Sequence, residues 1–180
     1  MVALTNNIIN KRNSVEFLAE FLGMFVFICF GLGSVAQSVL YGNQISFVVS
    51  LAFSFGITFG IIIAGNISGI RPCSFRKFQL LSIFFYFKGG HLNPAVSLAF
   101  LLNGQIKFIK FLVLITAQLL GAFLSALFIF LIYKEALVNK VGSVRDVSGI
   151  NGTARIWVTY PANDISIVSL INRLLIKTNN

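Results

Sequence analysis

One short stretch of the chain holds the residue types that polar chemistry needs: Gly89-Gly90-His91-Leu92-Asn93-Pro94-Ala95. Asn93 is a strong N-cap, because its side-chain oxygen accepts a backbone N–H from the first helical turn. Pro94 follows at the first helical position, where its missing N–H would be unsatisfied anyway. From Ala95 the residues are small and apolar until Asn103-Gly104, a stop signal. A helix of two or three turns is predicted, well short of the roughly 20 residues that a membrane crossing needs. Before it, Gly90-His91-Leu92 reads as extended chain that other groups can approach closely. A short helix that opens inside apolar surroundings directs a positive dipole end, worth about half a charge, at whatever lies there. With its oxygen engaged in the cap, the Asn93 amide keeps two N–H donors. Carbonyl acceptors, an amide donor and a positive helix end, in that order, suit the lining of a narrow polar path.

Other chemistries find little support. His91 is the one histidine of the chain, with no carboxylate or thiol nearby in sequence. No catalytic group, metal site or cofactor is therefore expected. Cys29 lies in an apolar run and Cys73 in a basic segment. Neither belongs to a disulfide framework, and both read as unreactive thiols.

The elements that must position the stretch follow from composition. Of 180 residues, 57% are hydrophobic and 11% charged, and the mean hydropathy is +0.88. A soluble domain has too little interior for such a chain, which reads as an all-α, multi-pass membrane protein. The net charge of +9 sits between apolar segments, not on one basic face. It therefore points to membrane orientation and to a lipid bilayer as partner, and not to nucleic acid. The first apolar run is long enough to stay in the membrane, so no cleavable signal is expected.

Residues 1–14, ending near Lys11-Arg12, are expected in the cytoplasm. A first membrane helix is predicted over about residues 15–40. Glu16 fits the interface, whereas Glu20 lies a turn deeper, where a carboxylate is costly unless partnered. The link 41–44 has no Lys or Arg and belongs outside. A second helix covers about 45–67, with Ser50, Ser54, Gly56 and Gly60 forming a small-residue face. Lys107 and Lys110 mark the inner side again, before a third helix over about 111–133 in which Gln118 is one polar amide. Residues 134–180 are then outside. They include the glycosylation sequon Asn151-Gly152-Thr153 and an interrupted start of a fourth helix near 165–176.

Together with Ala19-Glu20-Phe21-Leu22-Gly23 upstream and Ala117-Gln118-Leu119-Leu120-Gly121-Ala122 downstream, the Asn-Pro-Ala string resembles the first half of an aquaporin, or major intrinsic protein. The resemblance covers roughly residues 15 to 135, in the family's order, and Gly152 to Ala162 resembles the outer loop of the glycerol-conducting branch. It implies three transmembrane helices plus one short re-entrant half-helix, half of an inverted-repeat bundle. It also implies a channel for water and small polyols such as glycerol, in a homo- or hetero-tetramer, in the plasma membrane. Carbonyls of Gly90, His91 and Leu92 would accept from the permeant, Asn93 would donate, and Pro94 and Ala95 complete the signature. Glu20 would be a buried acceptor for loop N–H groups, as against a carboxylate tolerated at the boundary. Phe53 would narrow the outer constriction, as against an ordinary lipid-facing or core phenylalanine. Gln118 reads as inter-helix support and not as a substrate ligand.

The chain departs from the family at residues 70–89. There Asn66-Ile67-Ser68-Gly69 should lead directly into Gly90, and a segment with four basic residues and no acidic one intervenes. One reading is a basic, aromatic stretch lying at the headgroups; the simpler one is a retained intron or gene-model error. No second Asn-Pro-Ala follows. The alternative to a channel is accordingly a non-conducting, truncated subunit or fragment that at most associates with full-length subunits.

Overall fold

The computed structural model describes residues 2–42, 46–68, 90–142 and 152–158, with the backbone alone for 2–11, 66 and 68. These residues form α1 (Val2–Tyr41), α2 (Ser46–Ser68), α3 (Pro94–Leu102) and α4 (Phe108–Val141), then a 3₁₀ turn at Ala154–Ile156. Helices α1, α2 and α4 are long and apolar enough to cross a membrane; α3, with 9 residues, is not. The chain is thus an all-α membrane protein with three transmembrane helices and a half-helix between the second and third. The segment 70–89, Cys73, Asn151 and the expected fourth-helix start at 165–176 lie outside the described residues.

Two helices run further than their apolar cores predict. The polar residues up to Asn13 belong to α1, and α4 continues past Tyr133 to Val141. Hydropathy marks where a helix leaves the bilayer, not where it ends. Neither extension contains a Gly or Pro to stop it, and each helix stops at a glycine with φ +75°, Gly42 and Gly142. That left-handed conformation suits glycine at a helix C-terminus. At 1.5 Å per residue, α1 spans about 60 Å and α4 about 51 Å, against a hydrocarbon core of about 30 Å.

Helix α1 lies between α2 and α4, and α3 packs on α4. The buried face of α4 is Leu114, Ala117, Gln118, Gly121, Ser125, Ile129 and Leu137, a helical stripe of mostly small or polar residues. Such residues let membrane helices approach closely where no water drives them together. Helix α1 is approached closely by α4 at Gly121, where a Cβ would stand 2.5 Å from the Phe21 carbonyl oxygen, and by α2. A Cβ on Gly60 would stand 2.7 Å from the Gly23 carbonyl oxygen and 2.8 Å from the Leu92 side chain. The outward faces carry Leu22 and Phe30 of α1, Phe47, Phe55 and Phe59 of α2 and Phe123 and Leu131 of α4, all exposed. This apolar surface matches lipid tails, not water.

At the end of the bundle where α1 and α4 terminate, Ile156 packs among Ala36, Leu40, Ile129 and Leu137, and Trp157 lies against this cluster. Lys140 donates to the carbonyls of Val39 and Leu40. A cation from α4 thereby meets the unpaired carbonyls and negative dipole end of α1. Lys140→Ala is expected to cost about 0.3–1 kcal/mol. Purified protein in detergent should then melt about 1–4 °C lower, and an unchanged midpoint would remove this role.

Candidate functional site: the re-entrant segment

Residues 90–93 enter the bundle and turn into α3, and four polar side chains meet behind them. Glu20 is fully buried. Its Oε1 accepts the His91 backbone N–H at 2.5 Å, and its Oε2 accepts the Leu92 N–H at 2.9 Å. Gln118, also fully buried, donates Nε2–H to Glu20 Oε2 at 3.0 Å and to Ser97 Oγ at 3.2 Å. Ser97 Oγ lies 3.1 Å from His91 Nδ1. The cluster ties α1, the loop, α3 and α4 to one carboxylate.

Backbone geometry turns that anchorage into a lining. Two successive N–H groups meet one carboxylate, and the chain turns directly after them, with Leu92 at φ 44°. This is the nest arrangement by which backbone N–H groups hold anions. A leucine in that region costs of order 1–3 kcal/mol unless its surroundings impose it. Here they do: its side chain is buried against Gly23 and Gly60. In a trans peptide the carbonyl points opposite to the N–H of the same peptide plane, and no cis peptide is found among the described residues. The Gly90 and His91 carbonyls therefore point away from Glu20, toward the outside of the buried cluster. The clamp says nothing of the Leu92 carbonyl, which shares its plane with the Asn93 N–H.

Asn93 caps α3: extended at φ −157°, ψ 125°, it accepts the Ala95 N–H on Oδ1, with Pro94 in the first turn. Asn93 and Ala95 are exposed and Pro94 is half-buried. Gly90 has no room for a side chain, because a Cβ would meet Ala64 and lie 3.1 Å from Glu20 Oε1. Phe53 stands apart from this group. Its ring covers Gly31 and meets Phe27 edge-on at 6.0 Å, on the α1–α2 seam.

Three participants escape a reading by residue type. Ser97 looks like one more small residue of α3, yet it is fully buried between His91 and Gln118. The Leu92 side chain, not only its carbonyl, matters as the wedge between glycines. Glu16, which its place in the sequence sets at the interface, is covered by protein and paired. It is 3% exposed, with Lys110 Nζ at 3.0 Å and Arg12 Nε at 3.1 Å. Its α4 partner stands 94 positions away, so no local pattern announces it.

The chain matches the family model described as major intrinsic protein over residues 7–72 and 74–160. It is 40% identical over 156 residues to Aquaglyceroporin-2 of Rhizophagus irregularis, covering 84% of this chain and 42% of that protein. To human Aquaporin-9 it is 35% identical over 165 residues, or 91% of this chain and 49% of the relative. To human Aquaporin-10 it is 36% identical over 152 residues, or 83% and 44%. The chain spans about half the length of the curated relatives it matches.

Proposed function

The chain belongs to the major intrinsic protein family, and we propose that it supplies the first half of a membrane channel for water and small polyols such as glycerol. The observation that supports this best is the Glu20 clamp, which leaves the Gly90 and His91 carbonyls pointing away from the buried cluster. In this reading they accept hydrogen bonds from permeants in single file, Leu92 adds a third carbonyl, and Asn93 donates from Nδ2. The positive end of α3 opposes cations. Phe53 narrows the outer entrance, and Glu20 and Gln118 are support and not lining. The role is transport and not catalysis.

The test is a chimera of this chain with the second half of a matching relative, made with and without residues 70–89. Proteoliposomes carrying the folded chimera should swell in water and glycerol gradients faster than empty ones, and Asn93→Asp should abolish the difference. A folded chimera no more permeable than empty vesicles, in both versions, would refute the reading.

Orientation belongs to the same proposal. The N-terminus is cytoplasmic, residues 134–180 are outside, Asn151 is a glycosylation site, and the protein is a plasma-membrane homo- or hetero-tetramer. Lys11-Arg12, Lys107 and Lys110 at one end and the uncharged link 41–44 at the other support the orientation. A tag after residue 180 should be cleaved by protease added outside intact cells, with glycosidase-sensitive mass lost in Asn151→Gln. Cleavage only after permeabilisation would reverse the topology.

A second reading is that residues 1–180 by themselves do not conduct and at most associate with full-length subunits. The exposure of Asn93 and Ala95 at the head of α3 favours it. Nothing among the described residues faces them from the other side.

A further inference from the structure

We propose that the cluster behind the re-entrant segment holds His91 as its Nε2–H tautomer and binds a resident water between His91 Nε2 and Gln118 Oε1. The water is a fixed part of the protein, on the side of the loop away from any permeant. The inference does not depend on conduction.

The argument runs outward from Glu20. Both its oxygens accept N–H donors, His91 N on Oε1 and Leu92 N with Gln118 Nε2 on Oε2. An acceptor-only neighbour fixes the orientation of the Gln118 amide, because turning it over would set oxygen against oxygen. The two Nε2 hydrogens are then used, one on Glu20 and one on Ser97 Oγ. Ser97 Oγ, already accepting from Gln118, has one hydrogen left to give, and His91 Nδ1 stands 3.1 Å away. Giving that hydrogen to Nδ1 makes Nδ1 the acceptor and puts the imidazole proton on Nε2. Gln118 thus donates both to the carboxylate and to Ser97.

Two groups are left over. His91 Nε2 and Gln118 Oε1 are both buried and have no hydrogen-bond partner among the described residues. By the logic above one is a donor and the other an acceptor, on side chains that share Ser97 Oγ. Their residues are 7% and 0% exposed. An unpaired buried polar group is expensive, and evolution could have removed either with an apolar side chain. Water accepts and donates at once, and buried waters hold such otherwise unsatisfied groups, with about 2–4 polar partners each. The ring also lies against Phe100, with centroids 4.7 Å apart and the planes tilted by 37°, so it cannot swing out to find another partner without losing that contact.

The single histidine makes the test direct. Protein labelled with ¹⁵N-histidine and reconstituted in lipid bilayers gives one imidazole in proton-detected solid-state NMR. The expected spectrum has a bare Nδ1, a protonated Nε2, and magnetisation transfer from water to Hε2. Gln118→Met should weaken that transfer several-fold while Nε2 stays protonated, and Ser97→Ala should release the tautomer to a mixture. A protonated Nδ1 in the unmodified protein, or an Nε2 proton with no transfer from water, would overturn the proposal. Both of those outcomes are read without any variant, so a failure of a mutant to fold leaves the test intact.

Discussion

Glu20→Gln is expected to destabilise the protein at least about twice as much as Glu16→Gln, although both glutamates are buried and lie one turn apart on α1. Glu20 receives three N–H donors from the loop and α4. The amide keeps one oxygen and turns an NH₂ group toward at least one of those donors. Each donor left unpaired in a buried site costs about 1–3 kcal/mol, and the loop then has no reason to hold Leu92 at φ 44°. Glu16→Gln differs in kind. Its oxygen still accepts from Lys110, and the two cations it leaves, 19% and 73% exposed, can turn toward headgroups and water. Melting in detergent should show a loss of roughly 5–10 °C for Glu20→Gln, at about 2–4 °C per kcal/mol. For Glu16→Gln the loss should be no more than about half as large. Equal midpoints would mean that the clamp does not hold the loop.

That contrast shows where sequence reading succeeds and where it stops. Asn93-Pro94 and Asn103-Gly104 mark both ends of α3 because capping is local chemistry, written in adjacent residues. The three spans are legible for the same kind of reason, since burial in lipid needs an unbroken apolar run. The helix ends past those runs are not, because water tolerates a helix as readily as a coil until a glycine intervenes. Glu20 is conspicuous by its depth, but its partners come from positions 71 to 98 residues away. Ser97 and the Glu16–Lys110 pair are invisible for the same reason: a hydroxyl or a carboxylate carries no sign of what will face it. Phe53 is one of 20 phenylalanines, and only its packing against Gly31 separates it from the rest.

Vesicles carrying residues 1–180 alone are expected to be no more permeable to water or glycerol than empty vesicles. Helix α3 is about 13 Å long at 1.5 Å per residue, so one of its ends lies in the membrane interior. Asn93 Oδ1 satisfies the Ala95 N–H and leaves its own amide hydrogens exposed. A backbone or amide group without a partner costs several kcal/mol in hydrocarbon. A file of water along the Gly90 and His91 carbonyls would therefore be lined on one side and meet lipid on the other. A second copy does not complete the lining. Facing half-helices require inverted repeats, and Lys107, Lys110 and the N-terminal basic pair give every copy the same orientation. The flanking surface is no substitute, since α2 offers Phe47, Phe55 and Phe59 outward, which cannot hydrogen-bond a permeant. Light scattering after an osmotic jump, first with an impermeant solute and then with glycerol, decides the matter. Permeability above empty vesicles that disappears in Asn93→Asp would show that one half-helix suffices.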